Sequence, residues 1–167
     1  PLPDWAREPA PPEPVPAKPL APSRPFTEEP SPFSPLGPDG GARFRRGILV
    51  HRLLQHLPNV EPARRHQAAR RWLDRMAADF DAAARERLAA EAIELIANPA
   101  LAHLFGPESR AEVPVVGVVG GMAVAGQVDR FAVAPESIFV LDYKTNRRPP
   151  ERESKVPEIY LRQMALY

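Results

Sequence analysis

Asp129 stands in Gly-Gln-Val-Asp-Arg, and Asp142 and Lys144 in Val-Leu-Asp-Tyr-Lys. Two carboxylates and an ammonium gathered on one sheet face are the minimum equipment for metal-dependent phosphodiester hydrolysis. Hard carboxylate oxygens hold a divalent ion such as Mg²⁺. The ion lowers the pKa of a water and polarises phosphoryl oxygens. A neighbouring lysine stabilises the charge that builds in the transition state, or orients the attacking water. Counting shows how the three groups could meet. Residues 122–134 and 137–145 read as strands, and a two-residue turn at Pro135–Glu136 sets opposite each other those residues whose numbers sum to 271. Asp129 and Asp142 form such a pair, with Cβ atoms ~4.5–5.5 Å apart in an antiparallel ladder. The strand period of two then puts Lys144 on the face of Asp142. Pro-Glu is a less usual hairpin turn than Asn-Gly, and a slip of one residue would separate the groups.

The plainer reading is a carboxylate pair bridged by Lys144 at a wet sheet edge. Against it, Ile138-Phe139-Val140-Leu141 is apolar on both faces and reads as a central strand, so the acid and lysine that follow would be desolvated. Opposed like charges also cost stability unless a cation lies between them. Other residues could join the site. His51 lies four residues after Gly47 and three before Leu54 on a helical pattern and can face the interior. A histidine there is more often a hydrogen-bonded core residue than a ligand. As a ligand it would shift preference towards Mn²⁺. His56, His66 and His103 read as structural. Glu112, at the start of the first strand, either faces the pocket or solvates the edge. Gln163 and Tyr167 share one face of the last helix, with Tyr160 a turn earlier, and could contact phosphate or bases. Arg147 and Arg148 would sit at the mouth of the site as phosphate contacts or as solvated loop charges.

The elements that must position these groups are legible in outline. A helix is expected from about Arg45 to Pro58, and a second from Glu61 to about Phe80 with Trp72, Leu73, Met76 and Phe80 as its apolar stripe. A third runs from Asp81 to Ala97 on Leu88, Ala92, Leu95 and Ile96, stopped by Asn98-Pro99, with a short helical piece around 100–105. Three strands follow, 112–119, 122–134 and 137–145, the first two joined at Gly120-Gly121. A last helix occupies 157–167. Helices, a meander and a helix make an α/β domain bordering on α+β.

Residues 1–41 hold 14 of the 23 prolines in the 167-residue chain and carry a net charge of −3, against +4 for the remainder. Such a segment buries too little apolar surface to order itself and reads as a disordered, proline-rich linker ahead of a domain at 42–167. It would tether the domain to something upstream or, alternatively, dock to a proline-recognition module. The basic balance of the folded part is compatible with a polyanionic partner. The absence of cysteine excludes disulfides and iron–sulfur clusters and fits a cytoplasmic location. No ~18-residue apolar run exists, so no membrane association is expected. The first residue is Pro, which reads as a fragment or processed product.

Gly-x-x-Asp-Arg, then Val-Leu-Asp-Tyr-Lys-Thr-Asn, then Gln-x-x-x-Tyr, preceded by a helical Gly-x-x-x-His, resembles the nuclease domain of the RecB family, within the PD-(D/E)xK superfamily. The Asp-Tyr-Lys-Thr-Asn-Arg-Arg-Pro-Pro wording and the proline-rich lead-in look most like the C-terminal nuclease domain of a bacterial AddA-type helicase–nuclease subunit. The resemblance covers about residues 42–167. It implies a restriction-endonuclease-like core, a mixed sheet with an antiparallel meander flanked by helices. It also implies that His51, Asp129, Asp142 and the backbone carbonyl of Tyr143 bind Mg²⁺ or Mn²⁺, that Lys144 is the catalytic lysine, and that Gln163 and Tyr167 position substrate. The implied partners are single-stranded DNA, upstream helicase domains of the same polypeptide and an AddB-type second subunit, in double-strand-break repair. Family members usually continue beyond the position of Tyr167, so the domain is expected to be truncated. ATP use would belong to the helicase part, since no Gly-x-x-x-x-Gly-Lys-Ser/Thr loop is present. A catalytically silent DNA-binding or docking module on the same fold is the alternative. A purely structural helical domain leaves the Asp/Asp/Lys coincidence unexplained.

Overall fold

The computed structural model describes residues 3, 19–22, 41–144 and 150–167. Three helices come first: α1 (Ala42–His56), α2 (Arg65–Met76) and α3 (Ala82–Ala97). Strands β1 (Ser109–Val119), β2 (Met122–Ala134) and β3 (Ser137–Leu141) follow, and α4 (Glu158–Ala165) closes the order. The strands form one antiparallel sheet in the order β1-β2-β3. The architecture is the mixed helix-and-sheet arrangement expected of a restriction-endonuclease-like fold. No helix among the described residues is long and apolar enough to cross a membrane.

Local chemistry explains the boundaries. The Asp81 side chain accepts from the Ala84 amide (2.6 Å) and caps α3, whose alanine-rich sequence has high helix propensity. Asn98-Pro99 ends it, and the Asn98 side chain then caps the 3₁₀ turn Pro99–Leu104. Gly120 and Gly121 both take positive φ (57° and 78°), as a two-residue hairpin turn of this kind requires. Pro62 opens a separate 3₁₀ turn, so α2 is shorter than the sequence pattern implies. Its buried stripe is Ala69–Leu73, continued by Ala77, while Met76 is exposed. Of the expected stripe, Leu73 is buried, Trp72 and Phe80 pack against the core, and Met76 alone faces outward. Leu49, Leu53 and Leu54 of α1 meet Leu73, Ala77, Leu88, Ala92 and Ile96 in one apolar core. Arg45 ties α1 to the α2–α3 turn through Asp79 (2.9 and 3.1 Å) and the Met76 carbonyl (2.7 Å).

The strands also depart from expectation. β3 is an edge strand among the described residues, not a central one, and Ile138 is largely exposed. The apolar run misled because only part of β3 packs inward. The central strand is β2, which buries Val124, Val128, Arg130 and Ala132 on one face. β3 stops at Leu141, short of the expected 145, and β1 begins at Ser109 rather than Glu112.

Among the described residues β3 pairs only with residues 130–134 of β2, which leaves the other half of that edge to other partners. Leu20 and Pro22, from the segment read as a disordered linker, lie against it. Leu20 donates to Ala123 O (2.8 Å) and accepts from Ala125 N (3.0 Å), a parallel bridge centred on Val124. The reason is the row of unpaired peptide groups that an open edge presents. Pro22 is fully buried beside it. A Cβ on Gly126 would come within 2.7 and 2.9 Å of the Pro22 ring and 3.3 Å of Tyr167. Gly126→Ala should lower thermal stability by the ~1–3 kcal/mol that overpacking costs. Pro22→Ala in the same chain should restore most of it. Equal destabilisation with and without the proline ring, read from unfolding curves, would place the conflict elsewhere.

Candidate active site

The β2–β3 ladder runs from Ala134↔Ser137 to Arg130↔Leu141, so opposed residues sum to 271. The next pair in that register is Asp129 and Asp142, where the two segments leave the ladder. Their side chains are 17% and 10% exposed, and carboxylates so enclosed need partners. Asp142 pairs with the Lys144 ammonium and accepts from Gln163 Nε2 (2.7 Å). Lys144 Nζ also donates to Gln163 Oε1 (2.8 Å) and lies 5.0 Å from the Tyr160 ring centroid. The Gln163 amide thus faces the ammonium with its oxygen and the carboxylate with its nitrogen. Gln163 Nε2 also donates to the Tyr167 hydroxyl (3.1 Å), which donates to Gln127 O (3.0 Å). Helix α4 is thereby stitched to β2 and to the Asp-x-Lys segment.

Asp129 is held from the other side. Its Oδ2 accepts the Tyr143 amide (2.6 Å), and its Oδ1 lies 3.4 Å from His51 Nδ1. The opposite ring nitrogen, His51 Nε2, is 2.9 Å from the Tyr143 carbonyl, and the two rings meet edge to face at 5.5 Å. The His51 pKa is raised chiefly by the Asp129 contact. Burial opposes this, and the Asp129 charge, the Tyr143 carbonyl and the Asp142 charge add to it. The Tyr167 phenol is raised first by burial, against the Gln163 hydrogen bond, and further by Asp142 and Asp129. Both carboxylates therefore act on both of these groups.

A neutral imidazole has one N–H, yet both His51 nitrogens face oxygens that only accept. The place is built for positive charge, supplied by a second ring proton or by a cation. A carboxylate, a peptide carbonyl and an imidazole suit Mg²⁺ or Mn²⁺. Among the described residues no three His, Cys, Asp or Glu side chains converge as a ready metal cage. The structure brings His51 and Asp129 together with the Tyr143 carbonyl, and engages Asp142 with Lys144 and Gln163.

Glu112 falls opposite Asp129 in the β1–β2 register and has φ 55°, an unusual value for a residue with a side chain. It is the fourth residue of β1 rather than its first, and its carbonyl accepts from Gln127 Nε2 (3.1 Å). Arg147 and Arg148 lie outside the described residues. Sequence reasoning missed Gln127, although 127 and 144 also sum to 271 and the same count would have placed it beside Lys144. It also gave no role to Arg130, whose signal was a charge at a buried position of the alternation between Val128 and Ala132.

The His51 shift fixes a sign for pH dependence. Its folded-state pKa lies above the ordinary 6.5, so its stabilisation is complete below pH 6.5 and is lost as pH rises through the folded value. In chelator-treated protein the urea midpoint should fall across that interval, and His51→Gln should flatten the fall. The same slope in wild type and variant would show that His51 is not its source.

The model of one nuclease superfamily matches residues 31–167, which includes α1, the sheet, the Asp-x-Lys segment and α4. No curated protein and no solved structure matches significantly. With His51, Asp129, Asp142, Lys144 and Gln163 all inside the matched span, the chain belongs to the PD-(D/E)XK nuclease superfamily.

Proposed function

We propose that the domain is a Mg²⁺- or Mn²⁺-dependent deoxyribonuclease that hydrolyses unwound single-stranded DNA, acting as an exonuclease. The observation that carries this reading is the position of Asp129 and Asp142 one step past the end of the β2–β3 ladder, with the Lys144 ammonium held on Asp142. His51, Asp129, Asp142 and the Tyr143 carbonyl would hold the ion, which supplies an activated water and neutralises phosphoryl charge. The chain's own residues set the rest. Lys144 places a positive charge where negative charge develops on the phosphate. Gln163 bonds Lys144 and Asp142 simultaneously and so fixes one against the other. Tyr167 anchors Gln163 to the backbone of β2. Arg147 and Arg148, three and four residues after Lys144 in the sequence, would contact the flanking phosphates.

In the cell we infer an AddA-type setting: a cytoplasmic nuclease domain joined by residues 1–41 to helicase domains of the same polypeptide, partnered by an AddB-type subunit and serving double-strand-break repair. The proline-rich lead-in and the Asp-Tyr-Lys-Thr-Asn wording support this setting. Cleavage of labelled single- and double-stranded DNA, with metal and with chelator, tests the activity. Metal-dependent cutting of the single strand is expected. Asp142→Ala and Lys144→Ala should each reduce it by at least ~100-fold, the scale on which removal of one transition-state-stabilising group acts, with the far-ultraviolet spectrum retained. DNA retained without metal-dependent cutting by the wild type would instead identify a silent binding module.

A further inference from the structure

Arg130 lies on the opposite face of β2 from Asp129 and is 3% exposed. A guanidinium does not shed its charge, so burying one is costly unless its N–H groups are met. Its partners among the described residues are neutral. Nε donates to the Tyr143 hydroxyl (3.0 Å), one Nη to Ser109 Oγ (2.6 Å) and the other to Leu54 O (2.7 Å), while Phe105 lies under the group at 5.0 Å. The Leu54 carbonyl belongs to the last turn of α1, where the helix dipole is negative and favours the charge. An apolar side chain would fill the same space without the desolvation cost. What it could not do is grip three segments at defined points.

One of those segments is the residue between Asp142 and Lys144. The Tyr143 phenol is held by Arg130, its amide holds Asp129, and its carbonyl faces His51. Another is the turn of α1 that follows His51. We propose that Arg130 is a positioning residue for the metal-binding groups: through the Tyr143 hydroxyl it fixes the Tyr143 peptide, and through Leu54 the turn adjoining His51. The inference rests on the metal-dependent reading above. Groups that orient metal ligands typically influence affinity by ~10–100-fold.

Calorimetric titration with Mn²⁺ tests it, using two variants that each leave one Arg130 donor without its partner. Tyr143→Phe deletes only the hydroxyl and keeps the ring and the peptide. Ser109→Ala deletes the other side-chain acceptor, which reaches no ligand. Both should lower the melting temperature of chelator-treated protein comparably. Only Tyr143→Phe should weaken Mn²⁺ binding, by ~10-fold or more, with Ser109→Ala within twofold of wild type. Wild-type affinity in Tyr143→Phe, or equal weakening in Ser109→Ala, overturns the positioning role while leaving the metal site standing. Failure of the wild type to bind Mn²⁺ at all overturns both readings.

Discussion

The site depends on how one peptide unit is held. Tyr143 sits between the acid and the lysine of the Asp-x-Lys segment, and three of its groups are engaged: amide with Asp129, carbonyl with His51, hydroxyl with Arg130. Asp142 and Lys144 flank it just beyond the β2–β3 ladder, where pairing no longer constrains the backbone. Without these contacts the segment could rotate, and the alternation that puts Asp142 and Lys144 on one side would be lost. A hydrogen bond to a charged carboxylate is stronger than one between neutral groups, and Asp129 supplies it here.

The remaining structure presents groups to that peptide from three directions. The apolar core of α1, α2 and α3 fixes α1, which brings His51 to Asp129 and the Leu54 carbonyl to Arg130. β2 carries Asp129 on one face and Arg130 on the other, so one strand serves both the site and its support. From the far side, α4 presents Gln163, and Tyr167 follows two residues past the end of the helix, which is shorter than the expected 157–167. Together they close a hydrogen-bonded path from Asp142 back to Gln127 of β2. Pro22 packs against Gly126 at the foot of this path, which places part of the proline-rich segment beside Tyr167.

What was legible in the sequence was whatever a fixed period controls. The register of β2 and β3 followed from the length of the Pro135–Glu136 turn, and it ends at Arg130 and Leu141, one step short of Asp129 and Asp142. The existence of three N-terminal helices followed from their apolar spacing. Strand order did not follow: an apolar run of four residues looks the same at an edge as at the centre, and β3 is at an edge among the described residues. The buried side of α2 followed from Leu73, Trp72 and Phe80, but Ala69 and Ala77, not the larger Met76, complete it. The docking of Leu20 and Pro22 was hidden in proline-rich composition, since it depends on an open β2 edge that only the assembled sheet creates. His51 could not be chosen over a core histidine by spacing alone. Its contacts with Asp129 and the Tyr143 carbonyl are long-range in sequence.

In the proposed metal site His51, Asp129, Asp142 and the Tyr143 carbonyl share one divalent ion beside Lys144. Anomalous diffraction from a crystal of the domain soaked in Mn²⁺ addresses it without reference to catalysis. Such a site requires a manganese peak contacted by both aspartates, the imidazole and that carbonyl. A peak elsewhere, or a fully occupied ion that leaves Asp142 still paired with Lys144 and out of its reach, would contradict it.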